Sequence, residues 1–266
     1  MKYVSLTFDD GRKDNLCFAN SILSDHMIKA TLFCTTGFVD GSFEKPTDWK
    51  SAGNPLSIED LLTLESNGWE IALHGDQHIT SVDDCRESIN KLENMGIKKE
   101  KYGFSVPNSE IPDDTFSSFV EELRATELKY IRGGRGIDTR NLYSKLLFAG
   151  YTFFGSQKAY NTFNKPSVID IGNFDAYNLP SVVIRNEDNP DMVLNFLESI
   201  PDDSWVIIML HSILPQNDPL YGTDPWNWST DNFNYLVNGL SKMEGVIVDT
   251  VESVMISIEH RDGGLL

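Results

Sequence analysis

The regular alternation of short apolar runs with longer amphipathic stretches is the feature that most restricts the fold of this chain of 266 residues. Short apolar runs predict buried strands, and apolar residues at helical spacing predict helices. The predicted strands are 3–8, 30–36, 69–74, 102–106, 128–132, 181–185, 205–210 and 245–249. The predicted helices are 14–27, 58–67, 82–95, 113–126, 141–149, 190–199 and 230–243. Because strands that alternate with helices pair in parallel through right-handed crossovers, we predict an α/β fold, a distorted (β/α) barrel with seven to eight parallel strands.

The domain organisation follows from what connects these elements. The chain contains no Gly/Ser-rich linker, low-complexity tract or internal repeat, so we predict a single domain over 1–266. Two long loops, 37–56 and 212–229, follow predicted strands and are expected at the C-terminal face of the barrel, where parallel α/β folds place their chemistry. The segment 155–180 is rich in Asn, Tyr and Phe and carries no clear pattern, and no element is predicted there.

Charge and composition exclude several classes of partner. The formal net charge is -18, from 22 basic and 40 acidic residues, which argues against nucleic acid and against an anionic membrane surface. No segment approaches the roughly 18 apolar residues that a membrane span needs. The three cysteines, Cys17, Cys34 and Cys85, are widely spaced and indicate reduced thiols. Together with the lack of a positively charged leader, they predict a cytoplasmic protein.

The first strand ends in two adjacent carboxylates, in the sequence Thr-Phe-Asp-Asp-Gly. Adjacent residues of a regular strand point to opposite sides, but Asp9 and Asp10 can share one site where the backbone begins to turn. Gly11 permits a tight turn at this point. The alternative is that one of the two carboxylates only caps the following helix.

The third strand leads into a pair of histidines four residues apart. His74 and His78 can converge if the residues between them take a helical turn, and neutral imidazole is the commonest zinc donor. Taken alone, the spacing is also explained by chance or by a structural role. With an Asp from the first strand, the pair supplies His, His and Asp and leaves a position open, as in catalytic zinc sites.

A third histidine, His211, follows the buried apolar strand 205–210. A histidine at the end of such a strand is a candidate acid or base, and it is also a common kind of core residue. The remaining two histidines, His26 and His260, are expected at the surface.

The motifs taken in order resemble those of the polysaccharide deacetylases of the NodB-homology class, carbohydrate esterase family 4. The first motif is T-F-D-D-G, H-x-x-x-H follows about sixty residues later, and an apolar strand ends in a histidine near the C-terminus. The resemblance implies that Asp9 is the general base, that Asp10, His74 and His78 bind the metal, and that His211 is the general acid. It also implies a divalent metal ion, expected to be zinc, and a carbohydrate or sugar-conjugate substrate.

The chain departs from this family in the third and fourth motifs. The third motif has an arginine that steadies the base, and here Ser105 stands in its place in Phe-Ser-Val-Pro-Asn. A backbone donor at Asn108 is retained for the oxyanion. Two arginines at other strand ends, Arg132 and Arg185, are candidates to replace the missing guanidinium, and the alternative for each is a solvent-exposed charge. The aspartate that orients the acid histidine has no clear counterpart, and the nearest candidates in the sequence are Asp170 and Asp175.

Aromatic side chains in the two long loops are candidates for sugar binding. Trp226 and Trp228 lie in the loop after His211, and Trp49 in the other long loop could form a second wall. Indole faces pack well against apolar sugar surfaces. The alternative is that these rings pack the loops down.

Together these features predict a metal-dependent hydrolase that removes an N-acetyl or other acyl group from a carbohydrate. Two alternatives remain open. One is a hydrolase of another non-peptide C–N bond, such as a formamide or a cyclic ureide. The other is a catalytically impaired relative that binds carbohydrate, and it would bind metal without turnover.

Overall fold

The parallel strands curl into a ring, as the sequence predicted. The computed structural model describes residues 1–109, 113–124, 127–135 and 141–263. Within these ranges the strands are β1 (Lys2–Asp10), β2 (Thr31–Cys34), β3 (Glu70–Leu73), β4 (Tyr102–Ser105), β5 (Leu128–Arg132), β6 (Gly134–Arg135), β7 (Val168–Asp170), β8 (Pro180–Val183), β9 (Ser204–Leu210), β10 (Ser212–Leu214), β11 (Asn227–Ser229) and β12 (Val246–Val248). The main sheet follows the order β5-β4-β3-β2-β1-β9-β8-β6.

The two ends of this sheet are joined because β5 and β6 are consecutive in the chain. The N–H of Ile131 donates to the carbonyl of Ala176 (2.9 Å), and the N–H of Gly133 donates to the carbonyl of Leu179 (3.1 Å). One continuous segment therefore pairs with β4 on one side and with the approach to β8 on the other. The result is a seven-stranded parallel ring, counting β5 and β6 together.

Two further strands distort the ring at its N-terminal end. The first residues of β1 pair in parallel with β12, whereas its last four residues pair with β2. The short strand β7 runs antiparallel to the start of β9. The predicted strand 245–249 therefore exists as β12, but it pairs with only the first part of β1.

Apolar side chains alternate between the inside of the ring and the helices outside it. On β1, Val4, Leu6 and Phe8 belong to the larger core beneath the helices, and Tyr3 belongs to a separate inner core. The last helix contributes Val251 to the same inner core. It therefore closes the N-terminal end of the ring and leaves the C-terminal end for the site.

Most predicted helices are present, with shifted ends. The helices of the described ranges are α1 (Asn20–Asp25), α2 (Thr36–Asp40), α3 (Ile58–Ser66), α4 (Val82–Asn94), α5 (Asp113–Arg124), α6 (Leu142–Phe154), α7 (Gln157–Asn164), α8 (Pro190–Ser199), α9 (Thr230–Lys242) and α10 (Val251–Gly263). A π-helical turn over Asn15–Ala19 precedes α1. The predicted end of the helix 113–126 falls at 125–126, outside the described residues. None of the described helices is both long and apolar enough to cross a membrane.

Several elements lie where the sequence predicted none. Helix α7 and strand β7 occupy part of 155–180, and α2 covers the first residues of the loop predicted for 37–56. The loop predicted for 212–229 contains β10 and β11, which pair in parallel at its two ends. That pairing folds the loop back over the mouth of the ring.

Candidate active site

Both carboxylates of the first motif reach one site because β1 ends in an unusual backbone conformation. The side chain of Asp9 continues the alternation of β1 and points to the inside of the ring. Asp10 has φ 79°, in the left-handed region that non-glycine residues seldom adopt. A regular strand would turn the Asp10 side chain to the opposite face. Both carboxylates are 2 % exposed and line the same cavity.

The two histidines meet through a bend rather than through the helical turn that the sequence suggested. Gly75 has φ 79° and His78 has φ 55°, so the backbone reverses twice between β3 and α4. Asp84 holds this bend, because its carboxylate accepts from the N–H of Asp76 (2.9 Å) and of Gln77 (2.8 Å). The bend brings the imidazole rings of His74 and His78 to 4.8 Å between centroids.

Asp10, His74 and His78 form a cluster in which one ligand atom of each lies within 4.8 Å of the others. The Oδ1 of Asp10 is 3.6 Å from Nε2 of His74 and 3.7 Å from Nε2 of His78. Tetrahedral zinc with bonds of about 2.0–2.2 Å places its ligand atoms roughly 3.3–3.6 Å apart, and both distances from Asp10 are close to this range.

The protonation states of two of the donors also suit a metal. Burial alone would raise the pKa of Asp10, but the nearby Arg12 and the site histidines hold it well below its ordinary value. Burial lowers the pKa of His78 to about 4, and the charge of His74 acts in the same direction. The carboxylate is therefore ionised and the imidazole of His78 neutral near pH 7, which are the forms that bind divalent ions.

Ser105, which stands where polysaccharide deacetylases of the NodB-homology class have an arginine, contacts His74 of the candidate metal cluster. Its Oγ lies 2.5 Å from Nδ1 of His74, and its carbonyl oxygen lies 2.9 Å from the same nitrogen. A hydrogen bond at Nδ1 leaves Nε2 free to face Asp10 and fixes the ring. The sequence did not predict this contact.

Asp9 is paired with a guanidinium that comes from β5. Arg132 is 1 % exposed, and its Nη2 donates to Oδ2 of Asp9 while its Nη1 donates to Oγ1 of Thr7 (2.9 Å). Burial raises the pKa of Asp9, but Arg132, His74 and His211 together bring it below its ordinary value. Oδ1 of Asp9 is buried and has no hydrogen-bond partner among the described residues.

The second candidate arginine, Arg185, occupies a different place. Its guanidinium lies over the ring of Phe148 at 4.9 Å and over the ring of Trp226 at 5.6 Å. The prediction that Arg185 could serve Asp9 is therefore wrong, because its side chain is held between two aromatic rings. Among the described residues that line the cavity, its side chain contacts Trp226.

His211 lies beside both carboxylates at the end of β9. Burial, together with the charges of Arg12 and Arg132, lowers its pKa to about 4, although the charges of Asp10 and Asp9 oppose this shift. Its Nδ1 is buried and unpaired within the described ranges. Its carbonyl oxygen accepts from Nδ2 of Asn15 (2.8 Å), on the π-helical turn.

The two aspartates suggested as partners of His211 do not lie near it. Asp170 pairs with Ser204 at the start of β9, whereas His211 follows the other end of that strand. Asp175 is exposed and accepts from the N–H of Tyr177 (2.9 Å). Both suggestions are wrong, because the antiparallel pairing of β7 carries this segment to the opposite end of the ring.

Both carboxylates and the three histidines open into one cavity of about 210 Å³. The residues that line it are Asp9, Asp10, Arg12, Asp48, Trp49, His74, His78, Val106, Asn108, Ser109, Met209, His211 and Trp226. Asn108 is exposed at the rim with φ 58°, a conformation that asparagine tolerates.

Of the aromatic residues predicted to bind sugar, two form walls and one does not. The ring of Trp49 stands edge-on to His78 at 4.7 Å, and the ring of Trp226 lies 5.2 Å from His211. Trp228 is 1 % exposed and its Nε1 donates to the carbonyl of Asp188 (2.9 Å). The prediction for Trp228 is wrong, because β11 turns this ring into the core.

Arg12 is the site residue that sequence reasoning missed. It follows the metal-site aspartate by two positions, and its side chain folds back onto Asp10 with 1 % exposure. The only signal in the sequence was an arginine directly after a glycine that permits a turn. Arginines are mostly exposed, so that signal is weak.

The N-terminal part of the chain matches a family model. Residues 1–131 match the model described as polysaccharide deacetylase. This stretch contains the paired carboxylates and both histidines of the candidate metal site. The resemblance to polysaccharide deacetylases that the motifs indicated is therefore confirmed. No curated protein matches the sequence at a significant level.

Solved structures share the fold across nearly the whole chain. The Xyl-CE4 domain of a multidomain xylanase from the hindgut metagenome of Trinervitermes trinervoides is 16 % identical with a TM-score of 0.51, over 98 % of this chain and 91 % of that chain. Peptidoglycan deacetylase PdaC from Bacillus subtilis is 14 % identical with a TM-score of 0.52, over 98 % and 93 %. A CE4 family pseudoenzyme from Bacillus anthracis is 12 % identical with a TM-score of 0.51, over 95 % and 65 %. The distorted (β/α) barrel predicted from the sequence is confirmed.

Proposed function

We propose that this protein is a metal-dependent hydrolase that removes an N-acetyl or other acyl group from a carbohydrate. The observation that carries the proposal is the convergence of a metal donor set and a separately held carboxylate in one cavity. Asp10, His74 and His78 offer the donors, and Asp9 lies beside them with its own cationic partner. The match to polysaccharide deacetylases over 1–131 supports the substrate class.

The donor set favours zinc as the resident ion. Two imidazoles and one carboxylate make a three-ligand set with an open position, which is typical of catalytic zinc. When bound there, a divalent ion supplies Lewis acidity that lowers the pKa of water and polarises an acyl oxygen. Residues of the cavity are proposed to transfer protons, stabilise the oxyanion and bind the sugar.

Asp9 is the proposed general base. Arg132 occupies Oδ2, which leaves Oδ1 as the acceptor for a proton from the attacking water. The lowered pKa keeps this carboxylate ionised before the reaction. His211, beside both carboxylates in the same cavity, is the proposed acid: burial disfavours its charged form, so the ring would pass a proton that it takes up during the reaction readily to a departing amine.

The backbone N–H of Asn108 is the proposed oxyanion donor, and Trp49 and Trp226 are the proposed walls for the sugar ring. All three line the cavity that holds the metal donors. A backbone donor does not depend on the side chain, so the family's aromatic residue is not required at this position. The two rings come from different loops and approach the cavity beside His78 and beside His211.

One domain over 1–266 is part of the proposal. The family match ends at 131, but the ring needs β8 and β9 to close, and His211 follows β9. The cytoplasmic location inferred from the cysteines, and the exclusion of nucleic acid inferred from the charge, stay predictions. Assay of the protein in fractionated cells and binding to labelled DNA or RNA would test them.

The test separates the paired carboxylates. We expect the wild-type protein to bind about one zinc ion per chain and to release acetate from a panel of N-acetylated sugars, sugar nucleotides and oligosaccharides. Asp9→Asn should retain zinc and lose turnover, whereas Asp10→Ala and His74→Ala should lose both. Metal analysis and acetate release measure the two properties independently. Equal loss of metal in Asp9→Asn and Asp10→Ala would show that the roles are wrongly divided.

The same panel distinguishes the two alternatives. Release of formate from formamides, or opening of cyclic ureides, with no acetate from sugars would indicate a hydrolase of another C–N bond. Zinc binding without turnover on any member would indicate a catalytically impaired relative. The pairing of Arg132 with Asp9 supports the active enzyme, since a guanidinium is present where the motif alone suggested its loss.

A further inference from the structure

We propose that Arg12 is a positioning residue that fixes the Asp10 carboxylate for one-oxygen metal binding and makes metal affinity depend on both long loops. This inference rests on the proposed function, because it takes Asp10 as a metal ligand. The buried guanidinium of Arg12 divides its three nitrogens between Asp10 and residues of the two long loops.

Two of these nitrogens hold the same oxygen of Asp10. Nε of Arg12 donates to Oδ2 at 2.9 Å, and Nη2 lies 2.8 Å from it. The other oxygen, Oδ1, is the atom that faces Nε2 of both metal-site histidines, at 3.6 and 3.7 Å. With Oδ2 occupied on its far side, the carboxylate presents Oδ1 to an ion and is held against rotation.

The remaining nitrogen reaches the two loops that cover the cavity. Nη1 of Arg12 donates to Oγ of Ser51 (3.0 Å) and to Oγ of Ser212 (2.8 Å), and it lies 3.3 Å from the carbonyl oxygen of Trp226. Ser51 belongs to the loop before α3, and Ser212 and Trp226 belong to the segment after β9. One side chain therefore joins a metal ligand to both walls of the cavity.

Geometry requires arginine for this arrangement. The planar guanidinium directs Nε and Nη2 to one acceptor and Nη1 away from it, whereas an ammonium is a single point with no second arm. Arg12 is 1 % exposed, so the contacts are not exchanged with solvent. A lysine at position 12 would keep the positive charge but could not maintain the hydrogen bonds to Asp10 and to the two serines at the same time.

The first test is the dissociation constant for zinc, measured by competition with a chelator, in Arg12→Lys. We expect affinity to fall by about tenfold to a hundredfold, the effect usual for partners of metal ligands. The melting temperature of the metal-free protein separates positioning from folding and should change little. Arg185→Lys is the matched control, because Arg185 contacts Trp226 but not Asp10, and its zinc affinity should equal that of the wild type.

A second variant keeps the test decisive if Arg12→Lys does not fold. The double substitution Ser51→Ala and Ser212→Ala leaves the contact between Arg12 and Asp10 and removes both hydroxyl acceptors of Nη1. We expect a smaller loss of zinc affinity than in Arg12→Lys. Thr223→Ala is the matched hydroxyl control, since its Oγ1 donates to the carbonyl of Leu220 and not to the arginine network.

The outcomes separate this inference from the proposed function. Unchanged zinc affinity in Arg12→Lys or in the double variant, or an equal loss in the controls, would overturn the role of Arg12 and leave the metal site standing. A wild-type protein that binds no divalent ion would overturn the metal site and this inference with it.

Discussion

At Asp9, the two oxygens of one carboxylate have different surroundings. Oδ2 is paired with Arg132, whereas Oδ1 is buried and has no partner among the described residues. A buried acceptor beside a cation is ionised and unoccupied, which is the state a general base needs before the reaction. Arg132 is itself held by Thr7 and by the face of Phe33, 4.7 Å from its guanidinium.

The pairing predicts the result of a conservative substitution. Arg132→Lys should lower turnover by about tenfold to a hundredfold, because an ammonium holds the carboxylate less rigidly and a small displacement of a base is costly. Zinc content should stay that of the wild type, since among the described residues the guanidinium of Arg132 donates to Asp9 and Thr7 rather than to the proposed metal donors. Acetate release and metal analysis of the same preparation give both values.

The control for this substitution is an arginine with a similar ring contact far from the cavity. Arg124 lies over the ring of Tyr177 at 5.2 Å, so Arg124→Lys removes a comparable side chain without touching Asp9. Turnover that falls equally in both variants, or zinc lost from Arg132→Lys, would contradict the role assigned to Arg132.

At the scale of the element, the bend between β3 and α4 determines whether the histidines meet. Gly75 has a positive φ, and a Cβ at this position would lie 2.4 Å from Oδ2 of Asp84. Asp84 is the residue that accepts from the N–H groups of the bend. Any side chain at Gly75 therefore displaces the carboxylate that holds His78 in place.

Gly75→Ala should lower both stability and zinc affinity. The positive φ alone costs an alanine about 1–2 kcal/mol, and the clash with Asp84 adds to it. Gly41→Ala is the matched control, because Gly41 has the same φ of 79° and a Cβ there would meet no atom within 4 Å. Calorimetric melting and zinc titration should show a small loss of stability with full zinc affinity in Gly41→Ala. Equal losses in both variants would mean that the bend does not position the histidines.

The elements with strong apolar periodicity were predicted from the sequence. Elements that form only because they pair or pack with another segment were missed. The apolar strands β1 and β9 were predicted almost to their ends. Helix α7 was missed because its buried residues, Tyr160 and Phe163, lie among asparagines that favour loops. Strands β10 and β11 are too short to show a pattern and exist because they pair with each other.

The same division holds for the candidate site. Asp9, Asp10, His74, His78 and His211 were predicted because each stands at or just after a strand end. The choice between Trp226 and Trp228 depends on the pairing of β11 and could not be read from the sequence. The role of Arg12 depends on hydrogen bonds to two loops distant in the chain.

At the scale of the whole molecule, buried ionisable groups connect stability with pH. Asp188 is 4 % exposed, its Oδ1 has no partner within the described ranges, and its Oδ2 accepts from the N–H of Arg185 (2.7 Å). Burial, with a smaller contribution from the charge of Glu187, raises the pKa of Asp188 to about 7 against the opposing effect of Arg185. The folded protein therefore holds a proton at pH values where the unfolded chain has released it.

This proton predicts the sign of a pH effect. Below about pH 4, Asp188 is protonated in both the folded and the unfolded state and does not disfavour folding. As pH rises towards 7, Asp188 ionises in the unfolded chain only, which lowers the free energy of the unfolded state and so decreases the stability of the folded protein. Asp188→Asn has no carboxyl group at this position and should not show this decrease in stability with pH. The free energy of unfolding of the variant, relative to wild type, should rise by on the order of 2–4 kcal/mol between about pH 4 and pH 8, measured by urea denaturation.

The exposed Asp175 supplies the control, since Asp175→Asn makes the same chemical change outside the core. Its stability relative to wild type should be nearly independent of pH. A difference between Asp188→Asn and wild type that stays constant over this range would show that Asp188 is ionised in the folded protein.

The closed ring of strands has a consequence for how relatives of this protein are compared. The parallel strands of the ring all end at the same mouth, so a guanidinium supplied by β5 reaches the carboxylate of β1 as well as one supplied by β4. Ser105 and Arg132 pair with each other across adjacent strands in register. An alignment scored column by column would record a lost arginine at position 105 and predict an inert protein. The charge nevertheless reaches the same point from Arg132, on the neighbouring strand and in a distant column. Loss of activity in such barrels is therefore better judged from which atoms converge on the axis than from which letters persist in a motif.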